Sequence, residues 1–190
     1  MPDQAMTGDE IAIRRRPGRA CINVRGDGSD PRFLRAVAGA ADVSPPLAPC
    51  TSVSGLLASM LWLGPDEWLL VSETQAAAEL AGSLGRALAG LHAAVTDVSD
   101  GFIVYALRGS NASVVLAKGC PIDLHPRRFA PARCARSLLA KVPVLIHLRA
   151  DEPVFELYVA RSYADYAWTW LLTAAREFSA PNEVSRIAEW

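Results

Sequence analysis

The sequence predicts an α+β fold, with antiparallel sheet or sheets and helices packed on one side. Two observations predict it. Short alternating or β-branched runs come in pairs, and each pair is followed by a segment with helical apolar spacing, so that a strand–strand–helix rhythm repeats. The turn signals between paired runs are short, as hairpins require, while no strand–helix junction carries the glycine pattern of a nucleotide-binding parallel sheet.

Taken in order, residues 1–9 are expected to be disordered. Residues 10–179 are expected to form a single domain, with 180–190 as a polar tail ending in Ile187 and Trp190. Ile11 and Ile13 alternate within a short edge strand over Glu10–Arg14. Arg14, Arg15, Arg16 and Arg19 around Pro17-Gly18 read as a solvated turn. Ala20, Ile22 and Val24 alternate as the next strand. Asp30-Pro31 then supplies a cap followed by proline at the first helical position, and Phe33, Leu34, Val37 and Ala38 make the stripe of that helix. Pro45, Pro46 and Pro49 enforce an extended loop.

Leu56–Leu63 and Glu67–Ser72, split by Gly64-Pro65-Asp66, predict a hairpin whose register Trp62 and Trp68 would pin. Thr74–Leu88 is helical. Ala93–Val98 and Phe102–Arg108 are strands on either side of a Ser99-Asp100-Gly101 turn. Ser110 is expected to cap a short helix that runs to Lys118 and ends at Gly119. Irregular chain follows from Cys120 to Arg133. Leu138–Leu148 reads as one long strand, bulged or at an edge because of Pro143, and turns into Val154–Val159. Ser162 with Asp165 suggests a capping box for a last helix burying Tyr166, Trp170, Leu171, Ala174 and Phe178.

Composition narrows the function. The chain has 190 residues and a net charge of -1, so no global field favours nucleic acid or an anionic membrane. Apolar residues make up 51 %. Counted with glycine in place of tyrosine this is roughly 56 %, above the ~45–50 % usual in soluble domains, and the surplus points to surface covered by another protein. No apolar run reaches the roughly 18 residues a membrane helix needs. The N-terminus shows no apolar signal core, so a cytoplasmic location is expected. Cys21, Cys50, Cys120 and Cys134 are scattered without a C-x-x-C pair and read as reduced, packed thiols, with Cys120 and Cys134 the pair to consider as neighbours.

No catalytic constellation emerges. Cys120 follows a helix end, the wrong end of the dipole for a nucleophile. His92, His125 and His147 have no metal-ligand spacing. Asp97 and Asp100 fit turn hydrogen bonding better than general-base chemistry. Asp123 sits near His125, but an Asp–His dyad would need a nucleophile from elsewhere in the fold. Tryptophan is enriched in binding hot spots, and Trp168 and Trp190 fall off the apolar face and on the polar tail, respectively.

Four stretches together resemble a known family. They are the run from Leu61 to Leu70, Asp97-Val98-Ser99-Asp100, Leu116–Pro126 with its Lys118-Gly119-Cys120-Pro121-Ile122-Asp123-Leu124 core, and Arg161-Ser162-Tyr163-Ala164-Asp165-Tyr166 with Trp168 and Trp170. This set is similar to the gamma subunit of heterotetrameric sarcosine oxidase, over about Glu10 to Phe178. Two departures stand out: Gly109-Ser110 where Gly-Pro is expected, and Ala130-Pro131-Ala132 where a glycine is expected.

The resemblance implies a fold similar to the folate-binding domain of aminomethyltransferases. It implies an accessory, non-catalytic role in a complex with alpha, beta and delta subunits. That complex would oxidise sarcosine to glycine, pass the one-carbon unit to tetrahydrofolate and release hydrogen peroxide. FAD, FMN, NAD and tetrahydrofolate would reside in the partner subunits, with no cofactor or metal in this chain and neither nucleic acid nor membrane as partner. Cys120, Pro121, Asp123, Leu124, His125, Trp168 and Trp190 are the expected partner-interface residues. The alternative is a stand-alone, folate-binding aminomethyltransferase-like protein.

Overall fold

The computed structural model describes residues 5–7, 10–16, 18–150 and 153–178. The chain divides into two compact units, a finer division than one domain over 10–179. One comprises Gly18–Gly101 with the short return segment Ala132–Ala135. The other is made of the N-terminal segment, Phe102–Pro131 and the chain from Arg136 onward. The expectation of a tail at 180–190 lies outside the described residues.

The first of these units is built on β3 (Ala20–Arg25), α1 (Pro31–Ala41), β4 (Ser52–Ser54), β5 (Ser59–Gly64), β6 (Glu67–Ser72), α2 (Ala77–Ala87) and β7 (Ala94–Asp97). Its sheet runs β4-β5-β6-β3-β7, all antiparallel. This contains the split β-α-β arrangement: α2 carries the chain from β6 over the inserted β3 to β7, while α1 carries it from β3 across β6 and β5 to β4. One face of the sheet, carrying Ala20, Ile22, Val24, Met60, Trp68 and Leu70, forms a core with Phe33, Val37, Leu80 and Leu84 from the helices.

Local signals explain the elements. Asp30 is the cap of α1 and accepts from the Arg32 N–H at 2.8 Å. Trp62 and Trp68 are cross-strand partners, as the hairpin reading requires. Trp68 is fully buried, donates from Nε1 to the Pro46 carbonyl at 2.8 Å and packs on the Phe33 ring at 5.5 Å. The proline loop thus fills the acceptor need of the largest core side chain.

The second unit contains β1 (Ala5–Thr7), β2 (Ala12–Arg15), β8 (Phe102–Arg108), α3 (Ala112–Ala117), β9 (Arg133–Leu139), β10 (Val142–Leu148), β11 (Val154–Ala160) and α4 (Ala164–Ala175). The first residues of β9, through Ala135, count with the other unit. Its sheet runs β1-β2-β8-β11-β10-β9. Read from β9 to β2, this repeats the order of the other sheet: β9-β10-β11-β8-β2 against β4-β5-β6-β3-β7. The strand that closes the motif comes here from the N-terminal side of the chain, as in a circular permutation.

Several local expectations change. Ala5–Thr7 is a strand in a segment expected to be disordered, since β1 pairs with β2 through Met6 and Ile13. That pairing also makes β2 an inner strand and not an edge. β7 and β8 belong to different sheets, so Ser99–Gly101 is a 3-10 connection between units and not a hairpin turn. The stretch expected as one strand over Leu138–Leu148 is two, broken at Ala140, whose φ of 51° reverses the chain. β10 lies between β11 and β9 and is not the edge strand that Pro143 suggested; Pro143 stands just before the β11 register begins at Val144.

The capping roles of Ser110 and Ser162 fail. α3 begins after Asn111, whose side chain donates to Glu10 Oε2 at 2.7 Å. α4 is entered through a 3-10 turn, Arg161–Tyr163, with no side-chain cap. The buried face of α4 is Ala164, Ala167, Leu171 and Ala175, while Tyr166 is exposed. Small residues there let the helix approach the sheet closely. Arg19 is not solvated: it is buried and paired with Glu73 at 2.8 Å.

Candidate functional site: the face around α3 and the Cys120–Pro126 loop

The two most specific sequence stretches meet in space. Lys118, at the C-terminus of α3, reaches the C-terminus of α4, where its ammonium contacts the Ala174 carbonyl and the Glu177 carboxylate and lies 4.9 Å from the centre of the Phe178 ring. A cation at two helix C-termini opposes both macrodipoles favourably. Gly119 follows. A Cβ there would collide with Trp170 Cζ2 and stand 2.8 Å from Trp170 Cη2 and 3.1 Å from the Ala140 nitrogen, so only glycine lets the indole of α4 come this close to the turn. The Gly119 carbonyl in turn accepts from the Ala140 N–H at 2.8 Å. The Lys-Gly pair and the Trp of the last helix are therefore one packing device.

Beyond that device the chain forms a shallow concavity of about 570 Å³ between α3 and the loop from Cys120 to Pro126. Its floor is apolar, and Val114 on α3 is 47 % exposed. Cys120 and Leu124 line it as buried residues. The Cys120 thiol lies 3.4 Å from Ser137 Oγ, the geometry of a packed thiol. Pro121, Asp123 and His125 are exposed at the rim.

Both polar rim residues hold the loop. Asp123 Oδ1 accepts from the His125 N–H at 2.9 Å, and His125 Nδ1 accepts from the Arg127 N–H at 3.2 Å. That acceptor role places the proton of the neutral ring on Nε2. The five expected interface residues of this stretch are thus brought together. Trp168 is not among the lining residues. It is half-buried and stacks on Tyr105, with centroids 5.6 Å apart and planes at 24°. Trp190 lies outside the described residues.

The remaining candidates are structural. Asp97 Oδ1 accepts from both the hydroxyl and the N–H of Ser99, and Ser99 Oγ accepts from the Cys21 N–H at 2.9 Å. Those Ser99 donors hold the Asp97 carboxyl below the usual carboxylate range. Asp27, held below its ordinary value by the Ser29 hydroxyl and N–H, and Asp30, held below its own by the Arg32 side chain and N–H, occupy the approach and cap of α1. Two carboxylates at that helix start oppose a pyrophosphate. The residues present therefore do not fit a dinucleotide there. Among the described residues no group of three or more His, Cys, Asp or Glu could hold a metal ion, and no helix is long and apolar enough to cross a membrane.

Sequence reasoning missed two features. Across the β10–β11 ladder His147 faces Glu156, both almost fully buried. Glu156 Oε2 accepts from the Tyr158 hydroxyl at 2.9 Å and lies 3.4 Å from His147 Nδ1, while Arg149 Nη1 is 3.4 Å from Oε1. A buried carboxyl group met by several polar partners has its hydrogen-bonding need filled inside the sheet. The period-2 spacing of Glu156 and Tyr158 was the available signal. The second feature is the turn holding Leu56 and Leu57, which are 93 % and 47 % exposed where a strand was expected.

The chain matches known proteins along most of its length. The family described as "Sarcosine oxidase, gamma subunit family" matches residues 25–177. A sarcosine oxidase subunit gamma from Corynebacterium sp. (strain U-96) is 40 % identical over 122 residues, 64 % of this chain and 58 % of that one. The Arthrobacter sp. subunit is 38 % identical over 124 residues, 65 % of this chain and 60 % of that one. The matches thus span about three fifths of those relatives.

Among solved structures, a chain of heterotetrameric sarcosine oxidase from Corynebacterium sp. U-96, in complex with pyrrole 2-carboxylate, superposes with a TM-score of 0.83 and 32 % identity. It covers 97 % of this chain and 91 % of its own. Aminomethyltransferase T of the glycine cleavage system from Bartonella henselae is similar in fold, with a TM-score of 0.63 and 19 % identity over 83 % of this chain and 44 % of that one.

Proposed function

The chain belongs to the sarcosine oxidase gamma subunit family, and we propose that it is the accessory subunit of a heterotetrameric sarcosine oxidase, giving shape to the assembly and contributing no reacting group. The observation that carries this reading is the superposition over 97 % of the chain on a component of such an assembly. The site chemistry supports it. The polar residues at the rim of the α3 concavity are engaged in holding their own loop, and what the face offers outward is apolar surface at Val114 and Pro121. Apolar surface rimmed by polar groups is what a protein partner covers.

The reaction served is the oxidative demethylation of sarcosine to glycine, with the one-carbon unit passed to tetrahydrofolate. FAD, FMN, NAD and the folate sit in the larger partners. The alpha, beta and delta subunits are the partners, and the face built by Cys120, Pro121, Asp123, Leu124 and His125 is the docking surface, with Trp168 and Trp190 as further contacts. The fold likeness to an aminomethyltransferase carries no activity over.

Co-expression with the three other subunits tests this. A four-component complex that turns over sarcosine is expected, while this chain alone is inactive and shows no calorimetric response to tetrahydrofolate. Val114→Glu should lower recovery of the chain in the complex at least tenfold while leaving its thermal midpoint within about 2 °C, since a surface substitution costs little in the free fold. Equal sarcosine turnover by three subunits in assemblies that exclude this chain would overturn the proposal.

A further inference from the structure

The unit built on Gly18–Gly101 holds two thiols in one register. The return segment Ala132–Ala135 joins the end of β4 through a bridge between Thr51 and Arg133. The bridge is flanked by two hydrogen bonds, Ser52 N–H to Ala132 O at 2.8 Å and Cys134 N–H to Cys50 O at 3.1 Å. This register sets Cys50 directly across from Cys134. Residues opposed in that way in an antiparallel ladder have Cα atoms roughly 5.5 Å apart, inside the ~4.4–6.8 Å window of a disulfide.

The two thiols differ in the way a redox pair requires. Cys50 is half-buried and sits at a φ of 59°, where the strand turns away. Cys134 is fully buried, and its thiol donates to the Thr51 carbonyl at 3.2 Å and the Trp62 carbonyl at 3.4 Å. Burial is the main cause that pushes the Cys134 thiol up to about 12, and the neighbouring Cys50 adds to it. Both sulfurs are free.

We propose that Cys50 and Cys134 form a peroxide-driven thiol–disulfide pair, with Cys50 as the attacked sulfur and Cys134 as the resolving one, whose closure staples the return segment to β4. The Cys50 thiolate attacks one oxygen of hydrogen peroxide, the O–O bond breaks, and hydroxide leaves and is protonated to water. Cys50 is now a sulfenic acid. The Cys134 sulfur attacks it, the S–O bond breaks, and a second water leaves with the proton of Cys134. Two thiols and one peroxide give one disulfide and two waters, with two electrons passing from sulfur to oxygen. Because the resolving thiol is reluctant to ionise, the second step is the slow one and quickens with pH.

The test treats the full chain with hydrogen peroxide at pH values from about 7 to 9 and maps products by mass spectrometry after blocking free thiols. A Cys50–Cys134 disulfide, marked by the loss of two hydrogens, is expected, forming several-fold faster at the upper pH. In Cys134→Ser, a Cys50 sulfenic acid should persist and be trapped by dimedone. In Cys50→Ser, Cys134 should stay unmodified. A disulfide joining other cysteines would overturn the proposal. So would a Cys50 sulfenic acid that lasts as long in the unsubstituted chain as in Cys134→Ser.

Discussion

Gly119→Ala is the substitution through which the joining of the two specific sequence stretches is most directly read. The added methyl would lie 2.8 Å from Trp170 Cη2 and 3.1 Å from the Ala140 nitrogen, so the indole must move. Overpacking of this kind costs ~1–3 kcal/mol, and the half-buried position of Trp170 favours the lower part of that range. Against it stands the lower entropy of the unfolded chain, which for Gly→Ala at an unstrained position contributes ~0.4–1 kcal/mol of stability. The net is a loss of about 0.5–1.5 kcal/mol, or a fall of ~1–6 °C in thermal midpoint for a chain of this size.

The background Trp170→Ala removes the obstructing ring. There Gly119→Ala should become neutral or stabilising, so the two changes couple by about 1–2 kcal/mol. Urea titration of the four members of the cycle, followed by far-UV circular dichroism, gives the values. An equal loss from Gly119→Ala in both backgrounds would refute the claim that the indole sets the need for glycine.

Three further outcomes are expected. Ala132→Gly should raise the urea midpoint by about 0.5–1 kcal/mol in equivalent stability, because Ala132 holds a φ of 65°, a region that costs a residue with a Cβ ~1–2 kcal/mol. A fall in stability would count against that account. Trp68→Phe should cost ~2–4 kcal/mol by urea titration, since it strands the Pro46 carbonyl and leaves space beside Phe33. Stability should also fall as pH rises above about 9. There the Cys134 thiol of the unfolded chain loses its proton, while burial keeps the folded thiol protonated up to about 12. The unfolded state then binds fewer protons, the slope is negative, and its limit is about 1.4 kcal/mol per pH unit. Cys134→Ala should flatten that alkaline limb in thermal melts, and an unchanged limb would assign it to other groups.

Much of the fold was legible because local chemistry and tertiary need agreed. Asp30-Pro31 starts α1, and the Trp62–Trp68 pair sets the β5–β6 register, since both signals act within a few residues. What was not legible depends on distant chain. Nothing near Ala5–Thr7 announces a strand, because its reason is Ile13 across the ladder. The break at Ala140 was hidden because the left-handed turn is made by an alanine, where glycine is the usual mark. Tyr166 was placed on the buried face of α4 by its apolar character, yet that face is made of Ala164, Ala167, Leu171 and Ala175, and Tyr166 is exposed.

For the face around α3, the residues of one loop were legible, while Val114, on the preceding helix, was not. Trp168 looked outward because its stacking partner Tyr105 is far away in sequence. The cysteines taught the same lesson, since the residue across the ladder from Cys134 is Cys50, 84 positions upstream.

The permuted order of the second sheet bears on how the chain comes into being. During synthesis β2 leaves the ribosome early, but its ladder partner β8 follows only after Phe102, and β11 only after Val154. The intervening Gly18–Gly101 can collect most of its own contacts in the meantime, lacking only the short piece from Ala132 to Ala135. β2 therefore waits, unpaired on its β8 side, until the chain has run on past Gly101, and β8 waits in turn for β11. Such long-range closure makes for slow maturation and for an interval in which an unpaired strand edge is open to wrong neighbours.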